Sequence, residues 1–429
     1  EISECLVGSE MCIRDSFHID MPEAVRNIIH TIEEHGFKAY AVGGCIRDSI
    51  LGRNPDDWDI TTSAVPSQIK TFFKRTVDTG IAHGTVTIMI DKTGYEVTTY
   101  RIDGEYEDGR HPKSVEFSDR LVDDLCRRDF TINAMAYNDT DGFVDEFKGL
   151  DDLDTKIIRC VGEPELRFTE DALRMMRAIR FSAQLGFTID EATWNAIKKL
   201  SPSISKISME RVHVELGKTL MSAHPDYVAQ YSEAGLFAPI LPVIDNALKS
   251  RYKRKILATL QHTPDNIYLR YAALFITSTP DEAAKTLRAL KLDNKTVNTV
   301  SKLVELSKMD IEETEPAVRT ALNKYGRDFL PLWHELMMAV IQASEDITGI
   351  SNPAKVKHLL TLKRLGTDIL ARGDCFTIKD LDISGNDLIE YGLQGHEIGE
   401  TLKSLLDIVI ENPKLNDKAT LIAMIEHIK

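Results

Sequence analysis

No apolar run in the 429 residues approaches the roughly 20 needed to cross a bilayer, which argues against a membrane protein. Cysteine is sparse. Cys5, Cys12, Cys45, Cys126, Cys160 and Cys375 are scattered, and none forms a CxxC pair or groups with histidine at zinc spacing. Scattered thiols in a long chain point to a reducing cytoplasm and no disulfide framework. The histidines form no HxxxH pattern and no His-Asp dipeptide occurs. Positive charge is in deficit, with 52 Lys+Arg against 67 Asp+Glu and a net charge of −15. That balance lowers the expectation of nucleic-acid binding without excluding it, because a local basic stripe can still hold phosphates.

What remains is ordinary globular material, 43% hydrophobic and 28% charged, in a length that suits two to four domains. Residues 1–16, EISECLVGSEMCIRDS, begin without Met and lack the basic start and unbroken apolar core of a secretion signal. They resemble a translated adapter tract and are read as a non-native leader, with a genuine extension as the alternative. Helical spacing of Val25, Ile28, Ile29 and Ile32 predicts a helix from Met21 to Gly36. A strand KAYAV, a glycine pair and a helix over Cys45–Leu51 follow. Further strands are expected at Trp58–Thr61, Thr85–Ile90 and Tyr95–Arg101, the last two joined by the turn DKTG. After about residue 155 the strand signals stop and helical patterns run to the end. The expected divisions are 17–154, 155–222, 223–350 and 351–429.

Chemistry concentrates in the first of these. In DDWDITTS, strand alternation places Asp57 and Asp59 on one face, with Trp58 and Asp56 on the other. Two adjacent carboxylates repel unless a cation sits between them, and hard oxygen ligands suit magnesium. Surface or capping acids are the alternative. Upstream, VGGCIRD runs a strand into Gly43-Gly44 and a helix start, a setting in which backbone N–H groups take phosphate and Arg47 adds charge. The alternative is a tight turn with Arg47 paired to an acid. No Gly-Lys-Ser or Gly-Lys-Thr follows the pair, so this is not a Walker loop. Glu96, in YEVTTY, is a candidate third carboxylate or an exposed strand residue. Cys45 reads as a small filler.

GGCIRDSILGR with DDWDITTSA resembles the signature of the polymerase β-like nucleotidyltransferases. RIDGEYEDGRHPKSVEF, LCRRDFTINAMAY, RFTEDALRMMRAIRFSAQLGF and ISMERVHVEL follow in order, with DISGNDLIEYGLQGHEIGETLKSLLDIVIENPKLN near the end. Together they resemble the class II CCA-adding enzymes and their poly(A) polymerase relatives. The resemblance is strong over about 21–220 and 376–429. It implies an α+β chain: a catalytic head with a small mixed sheet over 17–154, then an all-α neck (155–222), body (223–350) and tail (351–429) in a seahorse arrangement. It implies that Asp57 and Asp59 hold two magnesium ions, that Gly44, Arg47 and Arg128 contact the nucleotide, and that Asp129 orders the RRD motif. It implies CTP, ATP and tRNA as partners. A phosphohydrolase domain found on some relatives is not recognisable.

Asp171, Arg174, Arg177 and Arg180 are spaced by three and wind slowly round one expected helix, beside an apolar stripe of Leu173, Met176 and Ile179. Cytosine and adenine each present an amine donor beside a ring-nitrogen acceptor. Asp171 can take the amine proton and Arg174 can donate to the ring nitrogen, whereas uracil and guanine present the reverse order. The family uses this pair for base selection, and Arg177 and Arg180 are expected to support base and triphosphate. A solvated face with local ion pairs is the alternative. The polar segment from Arg101 to Pro112, with Gly104 and Gly109, reads as a mobile lid or lever, with a passive surface loop as the alternative, and the resemblance ties it to the final A step. KSRYKRK at 249–255 and KVKHLLTLKR at 355–364 are candidate phosphate contacts or solvated faces. The reading is template-independent addition of CCA to tRNA. Poly(A) synthesis, CC-only or A-only addition, and a catalytically silent RNA-binding protein are the alternatives.

Overall fold

The computed structural model describes residues 18–104 and 114–428. The chain divides into two compact units, the first ending at Ile240 and the second beginning at Leu241.

The first unit opens with α1 (Glu23–Glu34), whose buried face is the expected stripe Val25, Ile28, Ile29 and Ile32. β1 (Ala39–Val42), α2 (Gly44–Ile50), β2 (Ile60–Thr62), α3 (Pro66–Phe72), β3 (Thr76–Gly80), β4 (Thr85–Ile90) and β5 (Thr93–Thr99) follow. Next come β6 (Arg101–Asp103), β7 (Val115–Phe117), α4 (Leu121–Cys126), β8 (Ala136–Asn138), β9 (Gly142–Val144) and α5 (Gly149–Asp154). The main sheet has the order β3-β4-β5-β2-β1-β8-β9. It is mixed, since β2 lies parallel to β5 and the other neighbours are antiparallel. All residues of β1 and β2 are buried, as befits strands covered on both faces. The β4–β5 hairpin turns at Asp91 and Lys92, both at positive φ, the backbone that a tight two-residue hairpin demands.

Three details depart from the sequence expectation. The second strand begins at Ile60, so Asp57, Trp58 and Asp59 lead into it rather than lie on it. β3, β7, β8 and β9 have no counterpart among the expected strands. β8 and β9 have three residues each, too few to show alternation, and β3 is an edge strand with a largely exposed face. The stretch after 155 is also not purely helical. β10 (Ile157–Ile158) and β11 (Thr188–Ile189) form a two-residue parallel ladder. It flanks α6 (Pro164–Glu170) and α7 (Leu173–Leu185) and precedes α8 (Glu191–Leu200), α9 (Met209–Leu220) and α10 (Val228–Glu233). α7 buries Leu173, Met176 and Ile179 as expected and packs on α9.

The second unit is helical, from α11 (Pro242–Lys249) to α21 (Lys418–Ile428). Near its end Leu388, Leu405, Val409 and Leu421 form a buried cluster. Among the described residues no helix is long and apolar enough to cross a membrane.

Candidate active site

Chain direction at the end of β1 is set by Gly43, which takes φ +89° and donates its N–H to Met135 O at 3.1 Å. A side chain there would be strained twice over, by that backbone and by Arg128 Nη1 at 3.0 Å from the position of a Cβ. Val42 N–H donates to Asp59 O at 2.9 Å, so the acidic lead-in to β2 is pinned beside the glycine turn. These segments form one wall of a cleft of about 630 Å³. Gly43, Gly44, Arg47, Asp57, Asp59 and Arg128 line it, with Arg177, Arg180, Phe181 and Gln184 from α7 opposite. Asp56 lines it as well, and so does Arg53. The expectation that Asp56 faces away is therefore corrected, because the irregular lead-in does not alternate as a strand would. Cys45 is the small buried filler expected.

Desolvation by the cleft walls raises the Asp59 carboxyl; Arg128 opposes the rise and Asp57 adds to it. Glu96 on β5 is raised by burial, then by the charges of Asp59 and Asp57. Asp59 and Glu96 thus both respond to neighbouring acidic charge, although Glu96 does not line the cleft. Among the described residues no group of three or more His, Cys, Asp or Glu side chains is arranged to hold a metal ion. Asp57 and Asp59 remain as a pair of hard oxygen donors under mutual repulsion. That donor set fits a divalent cation, whose charge would relieve the crowding.

The arginines are held from behind. Arg47, 8% exposed, donates to Asn133 Oδ1 (2.6 Å) and to both carboxylate oxygens of Asp48 (3.0 and 2.7 Å). Arg128 donates to Asp124, a fully buried carboxylate that also accepts from Arg127 and Thr61. Burial works against ionising Asp124, but the charges of Arg127 and Arg128 outweigh it and lower its carboxyl. Asp129 accepts from Phe130 N–H, Asn133 and Arg177, with Arg177 Nε at 2.8 Å. Its burial is likewise outweighed, first by the Arg177 charge and then by these hydrogen bonds, so its carboxyl lies well below the usual range. Arg180 donates to the buried Glu215 and to Gln184. The guanidiniums of Arg180, Arg47 and Arg177 lie 3.8, 5.0 and 5.4 Å from the centre of the Phe181 ring. One ring thus contacts three cations, whose mutual repulsion is offset by Asp48, Asp129 and Glu215 behind them.

The expected base-reading pair is arranged differently from the sequence reading. Asp171 is not on the helix with Arg174. α6 stops at Glu170, Asp171 is extended at φ −143° and ψ 103°, and α7 starts at Leu173. The Asp171 carboxylate accepts from Leu173 N–H (3.0 Å) and takes both arms of Arg211, at 3.2 and 2.7 Å. Arg174 donates to Glu170 (2.6 Å) and to the carbonyls of Arg167 and Arg127. Neither Asp171 nor Arg174 lines the cleft that holds Asp57 and Asp59, whereas Arg177 and Arg180 do. Residues 105–113, which hold most of the expected lever, lie outside the described residues.

The sequence reading missed Arg211, Glu215 and Phe181 as site residues. Arg211 and Glu215 stand four apart in ISMERVHVEL, on one helix face, and that spacing is the signal that points to a paired role.

Three family models match in chain order. A poly A polymerase head domain matches residues 39–159, a probable RNA and SrmB-binding site of polymerase A matches 186–248, and a putative tRNA nucleotidyltransferase domain 2 matches 268–425. The chain is 34% identical to the CCA-adding enzyme of Pediococcus pentosaceus, over 93% of this chain and 96% of that protein. It belongs to the CCA-adding enzyme family. The family's enzyme from Limosilactobacillus fermentum is 37% identical over 93% of this chain and 95% of its own. In structure, the CCA-adding enzyme of Bacillus stearothermophilus, solved in complex with CTP, superposes with a TM-score of 0.73 at 32% identity. That match covers 94% of this chain and 96% of the other.

Proposed function

We infer that this chain adds C, C and A in turn to the 3′ end of tRNA, using CTP and ATP, with no nucleic-acid template and with release of pyrophosphate. The observation that carries the reading is the single cleft in which Asp57 and Asp59 face Arg47, Arg128, Arg177 and Arg180. A nucleoside triphosphate is the substrate that needs both halves, its phosphates meeting the guanidiniums and its α-phosphate the acidic corner. Asp57 and Asp59 would hold magnesium ions, whose bound charge favours attack of the ribose 3′-OH and departure of pyrophosphate. Glu96 adds negative charge behind that pair. The Gly43-Gly44 turn admits the triphosphate close to the backbone, and Arg47 and Arg128, fixed by Asn133 and Asp124, orient it. Asp171 and Arg174, outside the cleft lining but close enough for their charges to act on Arg177 and Asp129 in it, are the pair assigned to the base edge, with Arg177 and Arg180 supporting base and triphosphate. The cytoplasm is the compartment that this reading calls for, and the similarity to bacterial CCA-adding enzymes supports it.

Labelled CTP and ATP supplied to a tRNA lacking its CCA end test the reading. Three added residues are expected, with Asp57→Ala and Asp59→Ala each abolishing both C and A addition while tRNA binding persists. Appreciable turnover by either variant with magnesium present removes the proposed metal role. The head's match to poly A polymerase favours one second reading, a long adenylate tail from ATP alone, which the same gel would show as a ladder.

A further inference from the structure

The second unit contains a cavity of about 560 Å³, within the range of small-molecule sites. One face of α17 (Phe329–Thr348) forms its floor. Trp333, Met337, Val340 and Ile347 recur at helical spacing and line the space instead of filling it. Leu359, on α18 (Pro353–Arg372), closes one side. Met337, Val340 and Ile347 are only half-buried, and Ile350 at the mouth is 72% exposed. Apolar surface of this kind, left open in an otherwise packed unit, marks a binding site more often than a packing fault.

The mouth carries charge of a definite sign. Lys255, from the basic run at 249–255, and Lys355, from the run at 355–364, both line the cavity and are both exposed. Neither makes an ion pair among the described residues. The acid at the rim, Asp310, is faced by His358 at 3.9 Å, which also contacts Glu313 at 2.9 Å. Two basic runs separated by about a hundred residues of sequence thus meet at one apolar opening.

We propose that this cavity binds an amphiphilic anion, an unbranched aliphatic chain with a single carboxylate or phosphate head held by Lys255 and Lys355. The interior favours a flexible chain over a nucleobase. Methionine, tryptophan and branched aliphatic side chains make up most of its lining, with Ser344, Asn352 and His358 among the polar exceptions. The one indole N–H, on Trp333, is already donated to Leu306 O at 3.2 Å. Asn352 Oδ1 accepts from Lys355 N–H and His358 contacts Glu313, so a base would bury more polar edge than the few polar lining groups can answer.

Calorimetric titration of the intact protein with decanoate, decanol and decyltrimethylammonium tests this. Decanoate is expected to saturate one site. Decanol, lacking the charged contacts, should bind roughly tenfold more weakly, and the cation not at all. Lys255→Ala with Lys355→Ala should bring decanoate to the decanol level, as should Ile350→Glu, which places a like charge at the exposed mouth. Val340→Trp should fill the cavity and remove binding of both. None of these residues lies in the catalytic cleft, and because the two basic runs are also candidate tRNA contacts, folding is certified by a parent-like thermal melt rather than by turnover on tRNA. If Val340→Trp fails that check, the lysine pair and Ile350→Glu decide. Non-saturating decanoate heats, equal affinity for all three probes, or affinity unchanged in the charge variants overturns the proposal. Displacement of decanoate by a short oligoribonucleotide would reassign the cavity to RNA and overturn it too.

Discussion

A carboxylate offers about four acceptor positions, and Asp171 has committed three of them, one to Leu173 N–H and two to Arg211. One position remains for the exocyclic amine of cytosine or adenine without breaking the ion pair. Asp171→Ala should therefore narrow the preference for CTP and ATP over UTP and GTP by about ten- to a hundredfold, the worth of one charge-assisted hydrogen bond. Single-nucleotide incorporation with each of the four triphosphates measures it; a slower enzyme with the same ranking would refute the assignment. Asp129 makes a prediction of another kind. Its folded carboxyl is depressed, so its contribution to stability is present above the ordinary aspartate range near 4 and is lost as pH falls below it. Asp129→Asn should melt below the parent at pH 7, with the gap shrinking at pH 3 in parallel thermal scans. A gap constant across that interval would show that the ion pair with Arg177 does not stabilise the fold.

The short ladder of β6 and β7 brings the two ends of residues 105–113 together, since Gly104 N–H donates to Ser114 O at 2.9 Å. Replacing 105–113 with Asn-Gly should leave this ladder and the Arg101–Asp103 ion pair intact. C addition is then expected near the parent rate, with A addition suppressed, on sizing gels with both nucleotides supplied. A normal CCA product would remove the lever role, and equal loss of both steps would indicate damage to the head. How far elements were legible from sequence follows from the range of the forces that define them. β1, Gly43 and α2 could be read because a short apolar run, a glycine pair and helical spacing are all local signals. β8 and β9 could not, because three residues carry no pattern and the strand that anchors them to the sheet, β1, lies far back in the chain. The break at Asp171 was hidden for a related reason. No glycine or proline marks it, and part of what holds it is Arg211, forty residues on, so local spacing extends one helix through EDALRMMRAIR. Arg177 and Arg180 fall within the true helix, and both line the cleft.

At the scale of the whole molecule, Arg47, Arg53, Arg128, Arg177 and Arg180 line one cleft of a chain whose net charge is −15. An approaching RNA meets these two facts at different distances. In 0.01 M salt the Debye length is about 30 Å, and the polyanion feels the repulsion of the whole acidic body before it reaches the cleft. Near 0.15 M the length is about 8 Å, the body is hidden, and the arginines act alone. Ionic strength therefore works as a focusing control. Binding by a uniformly basic protein falls along a straight line of log affinity against log salt. Here the line should flatten or turn over at the low-salt end, and association should be fastest at intermediate salt. Stopped-flow association of labelled tRNA between 10 and 500 mM salt reads this directly, and a steep straight line down to the lowest salt would show that the acidic body lies outside the path of approach. It follows that substitutions of surface acids far from the cleft should change how fast RNA arrives in dilute buffer while leaving turnover in physiological salt untouched.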